Sequence, residues 1–165
     1  MELSGSHKFD APQQVVWEVL TDPDTLRRTL PGCQKFDPQP DGSYNITLSI
    51  GIAAIKGAYT GTVHLLDEKP PDSYSLKVSA KGGAGFIEGR GDFILAPNGE
   101  ESEQTLLSYT GQAQVGGKIA GVGQRLLHAG ANLVAGQFFK ALEKEVAARG
   151  VRDRGQGSGA SIEGE

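Results

Sequence analysis

The sequence predicts an α+β fold, in which a curved antiparallel sheet wraps around a long C-terminal helix and two short helices follow the first strand. Three observations predict it. One strand-like segment is followed at once by two short helical ones, residues 42–115 alternate apolar and polar with period two, and from residue 119 the period becomes helical. The length of 165 residues suits one domain, expected over 1–149, with a polar Gly-rich tail at 150–165 expected to be disordered.

Residues 3–9 alternate weakly and read as the first strand. Asp10-Ala11-Pro12 reads as a helix start, a carboxylate cap with proline in the first turn. Val15, Val16, Val19 and Leu20 share one side of that helix. Thr21-Asp22-Pro23-Asp24 restarts a second helix through Leu26 and Leu30, which Pro31-Gly32 stops. Five amphipathic strands follow, with Tyr44 to Ile50, Ile55 to Leu65, Tyr74 to Ala80, Ile87 to Leu95 and Thr105 to Val115 on the inward parity. After Gly116-Gly117, Ile119, Val122, Leu126 and Leu133 form one helical stripe, and Leu127, Val134, Phe138 and Leu142 an adjoining one. Lys144, Arg149 and Gly150 suit its C-terminus.

The only element long enough to cover the single apolar sheet face is the last helix, which makes this a helix-grip arrangement. Glycine, at 24 residues, is roughly twice its usual share. Gly57, Gly61, Gly89, Gly91 and Gly111 all fall on the inward parity, where they either bend strands and pack closely or leave a cavity.

A net charge of −4 argues against a nucleic-acid partner. The single Cys33 excludes an internal disulfide and a Cys-rich zinc site. Neither a secretory signal nor a membrane-spanning run is legible, so the expected location is cytoplasmic. No cofactor fingerprint is complete. Lys118 stands at the wrong distance from Gly111 for a phosphate-binding loop, and Gly121-Val122-Gly123 lacks the third glycine of a dinucleotide site. His7, His64 and His128 fall on separate elements without metal-ligand spacing, and no inward pair for acid–base work is legible.

Ala11-Pro12, Val16-Trp17 and Leu20 with Asp22-Pro23 resemble the opening of the START-like polyketide cyclase and lipid-transfer superfamily. Leu30-Pro31-Gly32-Cys33, then Ile55-Lys56-Gly57-Ala58-Tyr59-Thr60-Gly61, and Tyr109 followed by Gln114-Val115-Gly116-Gly117-Lys118-Ile119-Ala120 resemble the CoxG family of carbon monoxide dehydrogenase subunits, over about residues 2–147. The resemblance implies an apolar cavity and a non-enzymatic accessory role beside a molybdenum-containing hydroxylase. It also implies membrane association and a quinone- or lipid-like ligand. Longer members carry a C-terminal extension after the helix; a short polar tail stands there in this chain.

The ligand-binding residues expected on this reading are Leu48, Tyr59, Leu76, Phe93, Tyr109, Val122, Leu126 and Leu133. The inward phenols either reach backbone partners or orient a ligand's carbonyl or hydroxyl. Two hairpin tips are apolar and flanked by bases, one with Ile52, Ile55 and Lys56, the other with Phe86 after Gly82-Gly83-Ala84-Gly85. They read as a gate or membrane contact, or else as caps folded onto the core. Two alternatives stay open: an assembly factor whose cavity is incidental, and a cyclase- or hydrolase-type enzyme on the same fold.

Overall fold

The computed structural model describes residues 1–51, 55–99 and 101–163. In chain order the elements are β1 (Glu2–Phe9), α1 (Gln13–Thr21), α2 (Pro23–Thr29), β2 (Cys33–Pro38), β3 (Tyr44–Ile50), β4 (Gly57–Lys69), β5 (Ser73–Gly82), β6 (Gly85–Asn98) and β7 (Glu101–Gly116), then a 3-10 helix (Lys118–Val122) and α3 (Gln124–Glu163). One seven-stranded antiparallel sheet runs in the order β1-β7-β6-β5-β4-β3-β2, so β1 closes the meander by pairing with its last strand.

The early helices are short for a backbone reason. A residue before proline is pushed out of the α region. Asp22, before Pro23, has ψ 117°, and Leu30, before Pro31, has ψ 122°, so each ends the helix that reaches it. Asp22 caps α2 as expected, accepting from the Asp24 backbone N–H at 3.2 Å and the Thr25 hydroxyl at 2.9 Å. Asp10 does not cap α1. Pro12 holds that position, and its carbonyl accepts from Val15 and Val16.

Strand β2, in which only Phe36 is fully buried, is not among the strands expected from the sequence. The periodicity also starts the long helix at residue 119, whereas Gly123, at φ +92°, separates the 3-10 helix from α3. The left-handed φ breaks helical hydrogen bonding there. At its far end α3 extends to Glu163, beyond the stop expected at Arg149-Gly150.

The core falls into three clusters. The largest joins Phe9, Val16, Val19 and Leu20 to Tyr74, Leu95 and Leu107 of the sheet and to Phe139, Leu142 and Val146 of α3. A second, at the other sheet edge, holds Leu26, Phe36, Ile46 and Val63. The third holds Tyr59, Ala80 and Ile119 near the hairpin tips. Phe138 packs against both the first and the second, so the middle of α3 lies over the sheet.

Candidate functional site

The ladder register turns the inward parity into rows across the sheet. One row is aromatic: Tyr74 pairs with Phe93, Phe93 with Tyr109, and Tyr109 with Gly5. The Tyr74 and Phe93 rings stack at 5.1 Å and 14°, and Phe93 and Tyr109 at 6.3 Å and 30°. Phe139 of α3 continues the wall, stacked on Tyr109 at 5.0 Å, and Trp17 meets Tyr74 edge-on at 5.4 Å. Gly5 is required here, because a Cβ at that position would stand 2.6 Å from the Tyr109 hydroxyl.

The next two rows are nearly bare. Leu76 pairs with Gly91 and Gly91 with Gly111; Val78 pairs with Gly89 and Gly89 with Ala113. Glycine and alanine thus floor a strip beside the aromatic wall. Leu76, Val78, Ile87 and Val115 around it are half-buried rather than fully buried. Beyond the strip stands the Tyr59–Ile119 cluster. A sheet face that brings backbone where side chains are usual leaves room under a helix packed about 10 Å away.

Of the eight expected ligand residues, Phe93 and Tyr109 form the wall and Leu76 borders the strip. Leu48 and Tyr59 lie together in the third cluster, and Val122 is half-buried in the 3-10 helix. Leu126 and Leu133 are not gathered with them. At 55% and 50% exposure they stand on the outer side of α3, the position of a surface. Trp17 and Phe139, both part of the wall, are not among the residues expected from the sequence. Phe139 sits next to the stripe residue Phe138, and the drift of the buried stripe along α3 brings it inward.

The phenols separate into two kinds. Tyr59 is 1% exposed and donates to the Ile55 carbonyl at 2.8 Å, a backbone partner that fixes the β3–β4 tip. Burial pushes both Tyr59 and Tyr74 above the usual phenol range, so both stay neutral. Tyr109 is half-buried, and among the described residues its hydroxyl has no protein hydrogen-bond partner. Of the expected gate residues, Ile52 lies outside the described residues. Ile55 is buried at 8% rather than exposed, while Lys56 is exposed and Phe86 is 45% exposed.

Between β1 and α3 a hollow of about 390 Å³ is lined by Ser6, His7, Tyr109, Asn132, Ala135, Gly136, Phe139, Lys140 and Glu143. His7 Nε2 and Glu143 Oε1 are 2.6 Å apart, and the imidazole stacks on Phe139 at 5.3 Å. No local pattern announces this pair, because its partners are 136 residues apart. Cys33 opens β2 half-buried, its thiol donating to the Lys35 carbonyl at 3.3 Å, and burial pushes it up, away from thiolate chemistry. Glu88, Arg90 and Asp92 stay on the wet face, with Arg90 3.9 Å from both Asp67 and Asp92. Among the described residues no cluster of His, Cys, Asp and Glu is arranged to hold a metal ion, and no helix is long and apolar enough to cross a membrane.

The family model for the CoxG subunits of carbon monoxide dehydrogenase matches residues 5–147. A conserved protein from Geobacillus kaustophilus is 38% identical in sequence, with a TM-score of 0.86 over 90% of this chain and 96% of that one. A START superfamily protein from Mycobacterium smegmatis superposes with a TM-score of 0.67 at 14% identity, over 89% of this chain and 97% of that one. The protein XoxI from Bacillus cereus gives 0.66 at 13% identity, over 88% and 95%. At those two identities the likeness is one of fold. No curated protein matches the sequence.

Proposed function

Since the chain belongs to the CoxG family of carbon monoxide dehydrogenase subunits, we propose that it is a non-enzymatic accessory protein that holds a hydrophobic molecule, quinone- or lipid-like, between its sheet and α3. It serves a molybdenum-containing oxidoreductase of the carbon monoxide dehydrogenase type, at the membrane surface. The observation that carries this reading is the pairing of an aromatic wall with a floor of Gly89, Gly91, Gly111 and Ala113. A flat ring fits against such a wall by offset stacking, worth about 0.5–1.5 kcal/mol beyond burial. An apolar tail fits a floor without side chains. The Tyr109 hydroxyl, unpartnered among the described residues, is placed to donate to a ring carbonyl.

Organic extraction and native mass spectrometry of the purified protein test this reading, together with uptake of an added short-chain quinone in the absence of membranes. A bound apolar molecule, or saturable uptake, is the expected result. Protein that carries nothing and takes up nothing overturns it.

One observation favours a second reading, an enzyme of the hydrolase or cyclase type. The His7–Glu143 pair opens on the hollow that also holds Tyr109, Asn132 and Lys140. The pair also ties β1 to α3, which a structural role explains. If the pair is structural, His7→Gln lowers stability and leaves ligand uptake in place. Turnover of activated esters that disappears in both His7→Gln and Glu143→Gln decides for the enzyme.

A further inference from the structure

An antiparallel meander places alternate connections at opposite ends of its sheet. One end carries the β3–β4, β5–β6 and β7–α3 connections, which the structure ties together: Ile50 pairs with Gly57, Tyr59 with Gly82, Phe86 with Gly116, and the Ile119 amide donates to the Ala84 carbonyl at 2.8 Å. The residues 50–57, 81–86 and 116–126 that form these connections include Lys56, Lys81, Lys118 and Arg125 and not one Asp or Glu. All four bases are exposed, and among them stand Phe86 at 45% and Leu126 at 55% exposure. The nearest acids are Glu88, two residues from its hairpin tip, and Glu2, beside Arg125.

The opposite end has the reverse charge. Its connections carry Asp41 between β2 and β3, and Asp67, Glu68 and Asp72 against the single Lys69 between β4 and β5. A chain of net charge −4 is therefore polarised along the strand direction, with a cationic end that also exposes apolar side chains. The positive end of the α3 dipole adds to the same field, since the first turn of that helix holds no acid.

We infer that this basic, apolar end docks on an anionic phospholipid surface, with the strands upright and the acidic end directed away. Charge complementarity selects the occupant. Phosphate head groups meet the four bases, Phe86 and Leu126 reach the acyl boundary, and the acidic end is repelled. This rests on the carrier reading in one respect: it gives that carrier its route to an apolar ligand.

Vesicle flotation tests the inference on the full chain, with vesicles of phosphatidylcholine alone and of phosphatidylcholine mixed with phosphatidylglycerol. The protein is expected on the mixed vesicles only, and to leave them as salt approaches ~1 M, where the screening length falls to about 3 Å. Each lysine at an anionic surface is worth about fivefold in affinity. The triple variant Lys56→Gln, Lys81→Gln, Lys118→Gln is then expected to lose about a hundredfold. All three side chains are exposed, and an unchanged circular dichroism spectrum verifies the fold. Equal binding to both vesicle types, binding to neither, or unaltered binding by the triple variant overturns the docking surface. Quinone uptake without vesicle binding rejects this surface and leaves the carrier reading standing; vesicle binding without uptake does the opposite.

Discussion

At Asp22 the chain passes from α1 to α2, and one carboxylate serves both the turn and the long helix. It accepts from the Asp24 amide, the Thr25 hydroxyl and, at 3.2 Å, the Arg149 guanidinium of α3. Burial by itself raises its pKa, but these donors more than offset that and hold it below the usual carboxylate value. A folded-state pKa below the unfolded one means stabilisation that is full above about pH 4 and is lost as pH falls through the folded value. Asp22→Ala is expected to cost about 1–2 kcal/mol in urea unfolding at pH 7, a difference that shrinks in acid. The phenols give the matching test of ligand chemistry. Tyr59→Phe is expected to lower stability by about 1 kcal/mol through the lost bond to Ile55. Tyr109→Phe is expected to leave stability nearly unchanged and to weaken uptake of a carbonyl-bearing ligand, measured by titration.

Among the strands, two glycines of the same parity have opposite roles. A Cβ at Gly61 would stand 1.9 Å from the Ser79 carbonyl oxygen and 2.6 Å from the Ala80 Cα, both backbone atoms of the neighbouring strand. Gly61 therefore serves close packing of β4 on β5 rather than ligand space. Gly61→Ala is expected to destabilise by about 3 kcal/mol in thermal or urea unfolding, through lost pairing. At Gly111 the nearest atoms to a Cβ lie at 3.6 and 3.9 Å, ordinary contact distances. Gly111→Leu is expected to stay folded, to fill the strip and to abolish uptake. If it folds and still takes up ligand, the site is elsewhere. The alternation makes both glycines inward, and it can show no more than that, because the approach of a neighbouring backbone is set by how the strands bend past each other.

Across the whole molecule, α3 is unevenly held. Its C-terminal half is fixed by Phe139, Leu142 and Val146 in the main core, by Arg28 Nε to Glu145 at 3.0 Å, by Arg149 to Asp22 and by His7 to Glu143. Its first turns bury Leu127 and Gly130, show no ion pair among the described residues, and follow directly on Gly123. Buried glycine brings no side chain to the contact, so little apolar surface anchors this end. Local stability follows such contacts. Amide exchange of residues 124–134 is expected to run faster than that of 138–148, and bound ligand is expected to slow the first group selectively. Uniform protection along the helix counts against opening at this end. The fast end is also the cationic one, so the first turns of α3 and the lysine-bearing hairpin tips share one face of the molecule.

The sequence by itself determined the fold class, the five-strand meander, the Asp22 cap and the family, because these rest on period, turn chemistry and motifs that are local in the chain. Tyr109 and Phe93 were also legible from their parity. Strand β2 was not, since a six-residue edge strand that buries little but Phe36 writes almost no alternation. Only the tertiary structure decided which inward residues stand together. Register aligned Tyr74, Phe93 and Tyr109 into one wall, the lie of α3 over the sheet added Phe139, and the rotation of that helix turned Leu126 and Leu133 outward. It also brought His7 to Glu143 and gathered four bases from three connections at one end. Periodicity tells which face a side chain is on; which neighbours share that face depends on strand register and helix rotation, and those are set by packing between parts of the chain far apart in sequence.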